Sequence, residues 1–174
     1  MNKITKFSEI PQFTRPANYT VNVHWKYLED TISRYAEHNL EMDPEFQRIH
    51  VWTEQQQIRY IEFILRGGKS GREIQWNCAG WMHNFKGPMY LVDGKQRIQA
   101  VRRFLNSEIP AFGTLFKDFE DKYLWSSCDF VFRVNDLKTY AEVVQWYIDL
   151  NAGGTPHTDD EIEKARKILE GAKQ

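Results

Sequence analysis

Cysteine is scarce: the 174 residues hold two, Cys78 and Cys128. They stand far apart, and neither has a Cys or His neighbour at metal-ligand spacing. That argues against a disulfide framework and a zinc module and leaves two half-buried structural thiols. Long apolar runs are missing too, so no segment reads as a membrane crossing. The opening MNKITKFSEIPQF lacks the apolar stretch of a secretion signal. The expectation is a cytoplasmic protein with no membrane partner. Charge of one sign is not in excess, with 23 Lys+Arg against 24 Asp+Glu for a net charge of -1. No global positive field draws this chain to nucleic acid, so any such contact must come from a local patch. Repeats and low-complexity tracts are absent as well.

What is present is the composition of a folded domain, with 41% hydrophobic and 14% aromatic residues. Residues 1–18, with Pro11 and Pro16, read as an extended lead-in, and 19–174 as the single domain. Alternation of Val21, Val23 and Trp25 with polar neighbours predicts a short strand over 20–25. Leu28, Ile32 and Tyr35 share a face of a helix over 26–38. Thr53 and Gln56 form a capping box for a second helix with Ile58, Ile61, Ile64 and Leu65 inward, closed by Gly67-Gly68. Strands are expected at 73–78, 89–92 and 130–134. Helices are expected at 95–105, at 139–150, and from the Thr158/Glu161 box to about Leu169. Elements mixed in this order predict an α+β domain, a small mixed sheet flanked by helices.

Three clusters carry chemistry. In Tyr90-Leu91-Val92-Asp93-Gly94-Lys95-Gln96-Arg97 an apolar strand enters a tight turn and then a helix. Gly94 permits a positive φ and a close ligand. The helix start offers N–H groups and a favourable dipole to an anion. Lys95 and Arg97 add charge, and Arg97 can hold two phosphate oxygens at once. Asp93 can hold magnesium or orient an attacking hydroxyl. The same pattern also suits a ligand-free turn with Asp93 as a helix cap. In Pro44-Glu45-Phe46-Gln47-Arg48-Ile49-His50-Val51-Trp52, Arg48 reads as a phosphate clamp and Gln47 as a reader of base or sugar. The alternative there makes Phe46 and Trp52 core anchors and Arg48 an ion-pair partner. In Leu150-Asn151-Ala152-Gly153-Gly154-Thr155-Pro156 two glycines shape a ligand-facing loop or merely turn a corner. His157 beside it reads as solvated rather than catalytic.

Taken in order, these clusters resemble the N-terminal domain of GmrSD-type modification-dependent restriction enzymes, shared with the phosphorothioate-sensing SspE. That family reads PxFQRxxVW, then DGQQR, then LNxGGxPL. The matches here are Pro44, Phe46, Gln47, Arg48, Val51 and Trp52; Asp93, Gly94, Gln96 and Arg97; and Leu150, Asn151, Gly153 and Gly154. The likeness spans about residues 20–170. It implies a ParB/sulfiredoxin-like fold that binds an NTP (ATP, GTP or CTP) with Mg2+ and acts on DNA, in a bacterial or phage-infected cytoplasm. By the resemblance Asp93 and Arg97 are catalytic; Lys95 joins them on its own charge, and the Asp93 carboxylate is also the candidate metal ligand. Gln47, Arg48, Gly94, Gln96, Asn151, Gly153 and Gly154 would hold the nucleotide. Lys95 departs from the family's first Gln and adds a point charge. The five histidines are scattered, so no HNH nuclease is expected.

Two functions follow. The first is NTP hydrolysis or phosphoryl transfer, with a hydroxylated DNA base as one acceptor. Trp76, Trp81, Phe85 and Tyr90 would then be stacking surfaces or core. The second is a non-catalytic DNA- or nucleotide-sensing module of a restriction or anti-restriction system. Its basic face would draw on Arg59, Arg66, Lys69, Arg72, Lys95, Arg102 and Arg103. A purely structural role is a third reading.

Overall fold

The chain is described as a computed structural model covering residues 3–10, 19–47, 52–81, 83, 87–121, 124, 127–152 and 167–171. Its elements are β1 (Tyr19–His24), α1 (Leu28–Ala36), β2 (Leu40–Glu41), α2 (Glu54–Leu65), β3 (Glu73–Cys78), β4 (Met89–Asp93), α3 (Lys95–Leu105), β5 (Asp129–Asn135) and α4 (Tyr140–Ala152). The strands form one sheet in the order β1-β5-β3-β4-β2. β1/β5 and β3/β4 run antiparallel, whereas β5/β3 and β4/β2 run parallel. The domain is thus α+β with a mixed sheet, as the order of elements predicts.

Period-two alternation assigns the sheet's faces. Ile74, Trp76 and Cys78 of β3, Met89 and Leu91 of β4, and Phe130, Phe132 and Val134 of β5 point into the main core. α1, α2 and α3 bring Leu28, Ile32, Ile61, Ile64, Ile98, Val101 and Phe104 to the same core. On the opposite face Val92 joins Phe46, Val143, Val144, Trp146, Tyr147 and Leu169 under α4. That α4 has its own core explains why its sequence stripe is apolar.

Local chemistry sets the element ends. The Thr53 hydroxyl accepts from the Gln56 N–H at 3.3 Å, and the Gln56 side chain takes the Thr53 N–H at 2.7 Å, which starts α2. α2 closes with Gly67 at φ +88, its N–H on Ile64 O and the Gly68 N–H on Phe63 O. Those reciprocal bonds satisfy the last carbonyls of the helix.

Several expectations need correction. Trp25 does not end β1; it opens a 3-10 turn, Trp25–Tyr27, that leads into α1. β2 went unpredicted, because two residues are too few to show a period. Cys78 and Cys128 are thiols outside any disulfide and are fully buried rather than half-buried, and burial pushes the Cys78 thiol up to about 11. Trp76 is fully buried core, Trp81 packs edge-on against Tyr35, and Tyr90 lies beside Phe46 and Tyr140. These three rings serve packing, and Phe85 lies outside the described residues. So does most of the predicted last helix, of which 167–171 is described and helical. No helix among the described residues is long and apolar enough to cross a membrane.

Candidate functional site

The parallel pairing of β2 with β4 places the site. Both strands leave the same end of the sheet, so the chain after Glu41 falls beside the turn after β4. Carboxyl ends of strands in open α/β sheets are where ligands commonly sit. Here Gln47, Trp52, Val92, Asp93, Gly94, Lys95, Gln96, Arg97, Tyr147 and Asn151 line a recess of about 110 Å3. A single water needs roughly 10–15 Å3 by the same measure, so the recess has room for a group the size of a phosphate.

Each wall has a local cause. Gly94 takes φ +110 and is the N-cap of α3, with no side chain capping the helix. Asp93 therefore does not cap α3, against the bland reading of the turn. The first helical bond is from the Ile98 N–H to Gly94 O, at 3.0 Å. The N–H groups of Lys95, Gln96 and Arg97 precede it and belong to the unsatisfied first turn. A Cβ on Gly94 would lie 2.5 Å from Ile74 Cδ1, so glycine is required both for the backbone angle and for the approach of β3.

Arg97 spans the mouth. Its Nη1 donates to Glu73 O at 2.6 Å and to Asp93 Oδ2 at 3.2 Å. Among the described residues its Nη2 has no partner. Lys95 Nζ donates to Asp43 Oδ1, an exposed carboxylate just past β2. Gln96 Oε1 accepts the Trp52 N–H at 3.3 Å and ties the start of α2 to α3. Gln47 is buried, and its Nε2 donates to Leu91 O. β2 stops at Glu41, so the Gln47 amide satisfies a β4 carbonyl that no strand reaches. Phe46, its neighbour, is anchored on Tyr147 at 5.1 Å between ring centres. Phe46 is thus a core anchor, while Gln47 faces the recess. Asn151 Nδ2 donates to Tyr147 O at 2.6 Å within α4, and this end of the helix lines the recess.

Seven of the ten site residues expected from sequence therefore converge: Asp93, Lys95, Arg97, Gln47, Gly94, Gln96 and Asn151. Arg48, Gly153 and Gly154 lie outside the described residues, as does His157. Sequence reasoning missed Tyr147 and Val92, whose apolar periodicity reads only as core, and Trp52, read there as a core anchor. No group of three or more His, Cys, Asp or Glu able to hold a metal occurs among the described residues. Asp93 stands as a single carboxylate.

The expected basic face is largely neutralised. Arg72 pairs with Asp129, Lys95 with Asp43, Arg102 with both oxygens of Glu29, and Arg103 with Glu54 and Glu108. Arg59, Arg66 and Lys69 make no ion pair among the described residues.

No family model, no curated protein and no solved structure matches this chain significantly.

Proposed function

We propose that the chain is an NTP-binding enzyme of ParB/sulfiredoxin-like fold that hydrolyses a nucleotide or transfers its phosphoryl group to a DNA-linked hydroxyl. One observation carries this reading: Asp93, Lys95, Gln96 and Arg97 meet Gln47 and Asn151 around a phosphate-sized recess at an uncapped helix start. The first-turn N–H groups of α3 and the Arg97 Nη2, which have no partner among the described residues, are donors for phosphate oxygens. Lys95 leaves an exposed partner to reach the same anion, since its pair with Asp43 is at the surface and weak.

Phosphoryl transfer asks mostly for positioning and charge neutralisation. The acceptor hydroxyl gives its proton to the Asp93 carboxylate. Its oxygen forms the new bond to the γ-phosphorus as the β–γ bridging bond breaks, leaving the nucleoside diphosphate. Arg97 and Lys95 balance the charge that builds on the transferring group. Magnesium typically arrives on nucleotide phosphates with one or two protein carboxylates. Asp93 alone fits that pattern, and the ion would supply further neutralisation of the polyphosphate.

The test is turnover. Purified protein is given ATP, GTP or CTP with magnesium, and DNA with or without hydroxylated bases; released phosphate reports hydrolysis and label in DNA reports transfer. Asp93→Asn and Arg97→Ala should each lower turnover at least about a hundredfold while leaving the unfolding midpoint near wild type. Full activity in both variants would reject the site. Nucleotide binding without turnover under every condition would favour the sensing module.

A further inference from the structure

Once the paired cations are set aside, a distinct surface remains along α2. Gln55, Arg59, Phe63 and Arg66 recur at helical spacing and are all exposed. Phe63 is 46% exposed, and its ring lies over the backbone of Gly68. Beside it the Ala111–Thr114 turn presents Phe112, which is 52% exposed. Phe112 holds φ +52, an angle rare for a bulky side chain. The turn is pinned to α2: Glu62 Oε1 accepts the Phe112 N–H at 2.8 Å, and the Arg66 guanidinium sits 5.8 Å from the Phe112 ring centre. That bond ties Glu62, the acid between Arg59 and Arg66 in sequence, to the turn. Lys69 follows just beyond the end of the helix.

Two exposed rings among cations that make no ion pair with an acid among the described residues form a surface complementary to a flexible polyanion with flat bases. We propose that the α2 face of Arg59, Phe63 and Arg66, with Phe112 and Lys69, is a docking surface for single-stranded DNA. Bases stack on Phe63 and Phe112, and the cations track the phosphates. From Arg59 to Arg66 the stripe runs about 10 Å, enough for a few nucleotides. The choice of DNA over RNA rests on the function proposed above; the charge and stacking argument does not. Glu62 and Arg66 hold Phe112 in that backbone, and the outward half of its ring is left to stack.

The test uses the full chain and fluorescence anisotropy with a labelled DNA strand of about 12 nucleotides, within the range such surfaces cover. Affinity should fall steeply with salt. Arg59→Glu with Arg66→Glu should weaken binding more than tenfold and flatten the salt slope. Phe112→Gly, which suits the backbone angle, should cost about tenfold in affinity without loss of fold, and Phe112→Tyr should retain binding. NTP turnover without DNA should be unchanged in all of these variants, which separates this surface from the recess. The proposal is overturned by affinity that is indifferent to these substitutions, by absence of binding at low salt, or by equal preference for duplex, RNA or polyglutamate.

Discussion

Gly94 is held by two independent constraints, a backbone angle of φ +110 and the proximity of Ile74. Substitution to Ala meets both, since a Cβ would strain the left-handed angle and collide with a buried side chain. Gly94→Ala should therefore destabilise the fold by roughly 1–3 kcal/mol, measurable as a lower urea midpoint. A midpoint equal to wild type would mean that the turn relaxes freely. Gly113, at φ +78 with nothing near its missing Cβ, is the internal comparison, where only the angle is strained. Around the recess the same residue-level logic separates roles. Gln47 and Gln96 spend hydrogen-bonding atoms on Leu91 O and on the Trp52 N–H. They fix the walls, while Arg97 keeps donors for a ligand.

Among the elements, the link between β5 and α4 depends on buried polar groups. Asn77 of β3 donates to Leu137 O at 3.1 Å and accepts the Leu137 N–H at 2.9 Å, much as a neighbouring strand would. Asp136, buried beside it, accepts the Gly80 N–H at 2.6 Å and pairs with Lys138 Nζ at 2.5 Å. Burial by itself would raise its carboxyl, but the bonds from Lys138 and Gly80 more than offset this and hold it below its ordinary value of 3.8. A lowered folded value stabilises the protein above the unfolded value and loses that contribution as pH falls through the folded one. Asp136→Asn should thus cost about 1.5–3 kcal/mol at neutral pH. Its deficit should shrink below pH 3.8, as read from urea midpoints across an acid series. A deficit that stays constant with pH would show that the carboxylate's charge is not involved. Because α4 carries Tyr147 and Asn151, loosening this link should also loosen the recess.

For the whole molecule, the sheet joins two cores, and the recess lies where the end of β4, the start of α3, the end of α4 and the segment before α2 meet. A ligand there binds the folded chain and finds no site in the unfolded one. At a hundred times its dissociation constant it adds about 2.7 kcal/mol, which for a chain of this size raises the melting temperature by about 5–10 °C. Thermal scans with each triphosphate and with inorganic phosphate measure this. The Arg97→Ala variant should respond less, and no shift with any of these anions would argue against a phosphate site. The outer face of β1, β5 and β3 carries exposed Thr20, Asn22, Glu73 and Arg133, with Glu73 and Arg133 paired at 2.7 Å. It has no apolar stripe for another layer, so the helices lie where the strands are apolar.

Strand alternation, the α2 capping box and the Asp-Gly turn are short-range patterns, and the chain alone determined them because their partners lie within a few residues. Half of the recess lining was visible for the same reason: Asp93 to Arg97 is one continuous turn. Tertiary structure decided which charges remain available and what closes the recess. Asp43 reaches Lys95 across 52 positions, Gln47 reaches Leu91 across 44, and Glu29 neutralises Arg102 across 73. Local periodicity carries no information about such pairings. They follow from the parallel placement of β2 beside β4 and the packing of three helices on one face, which only the completed fold brings about.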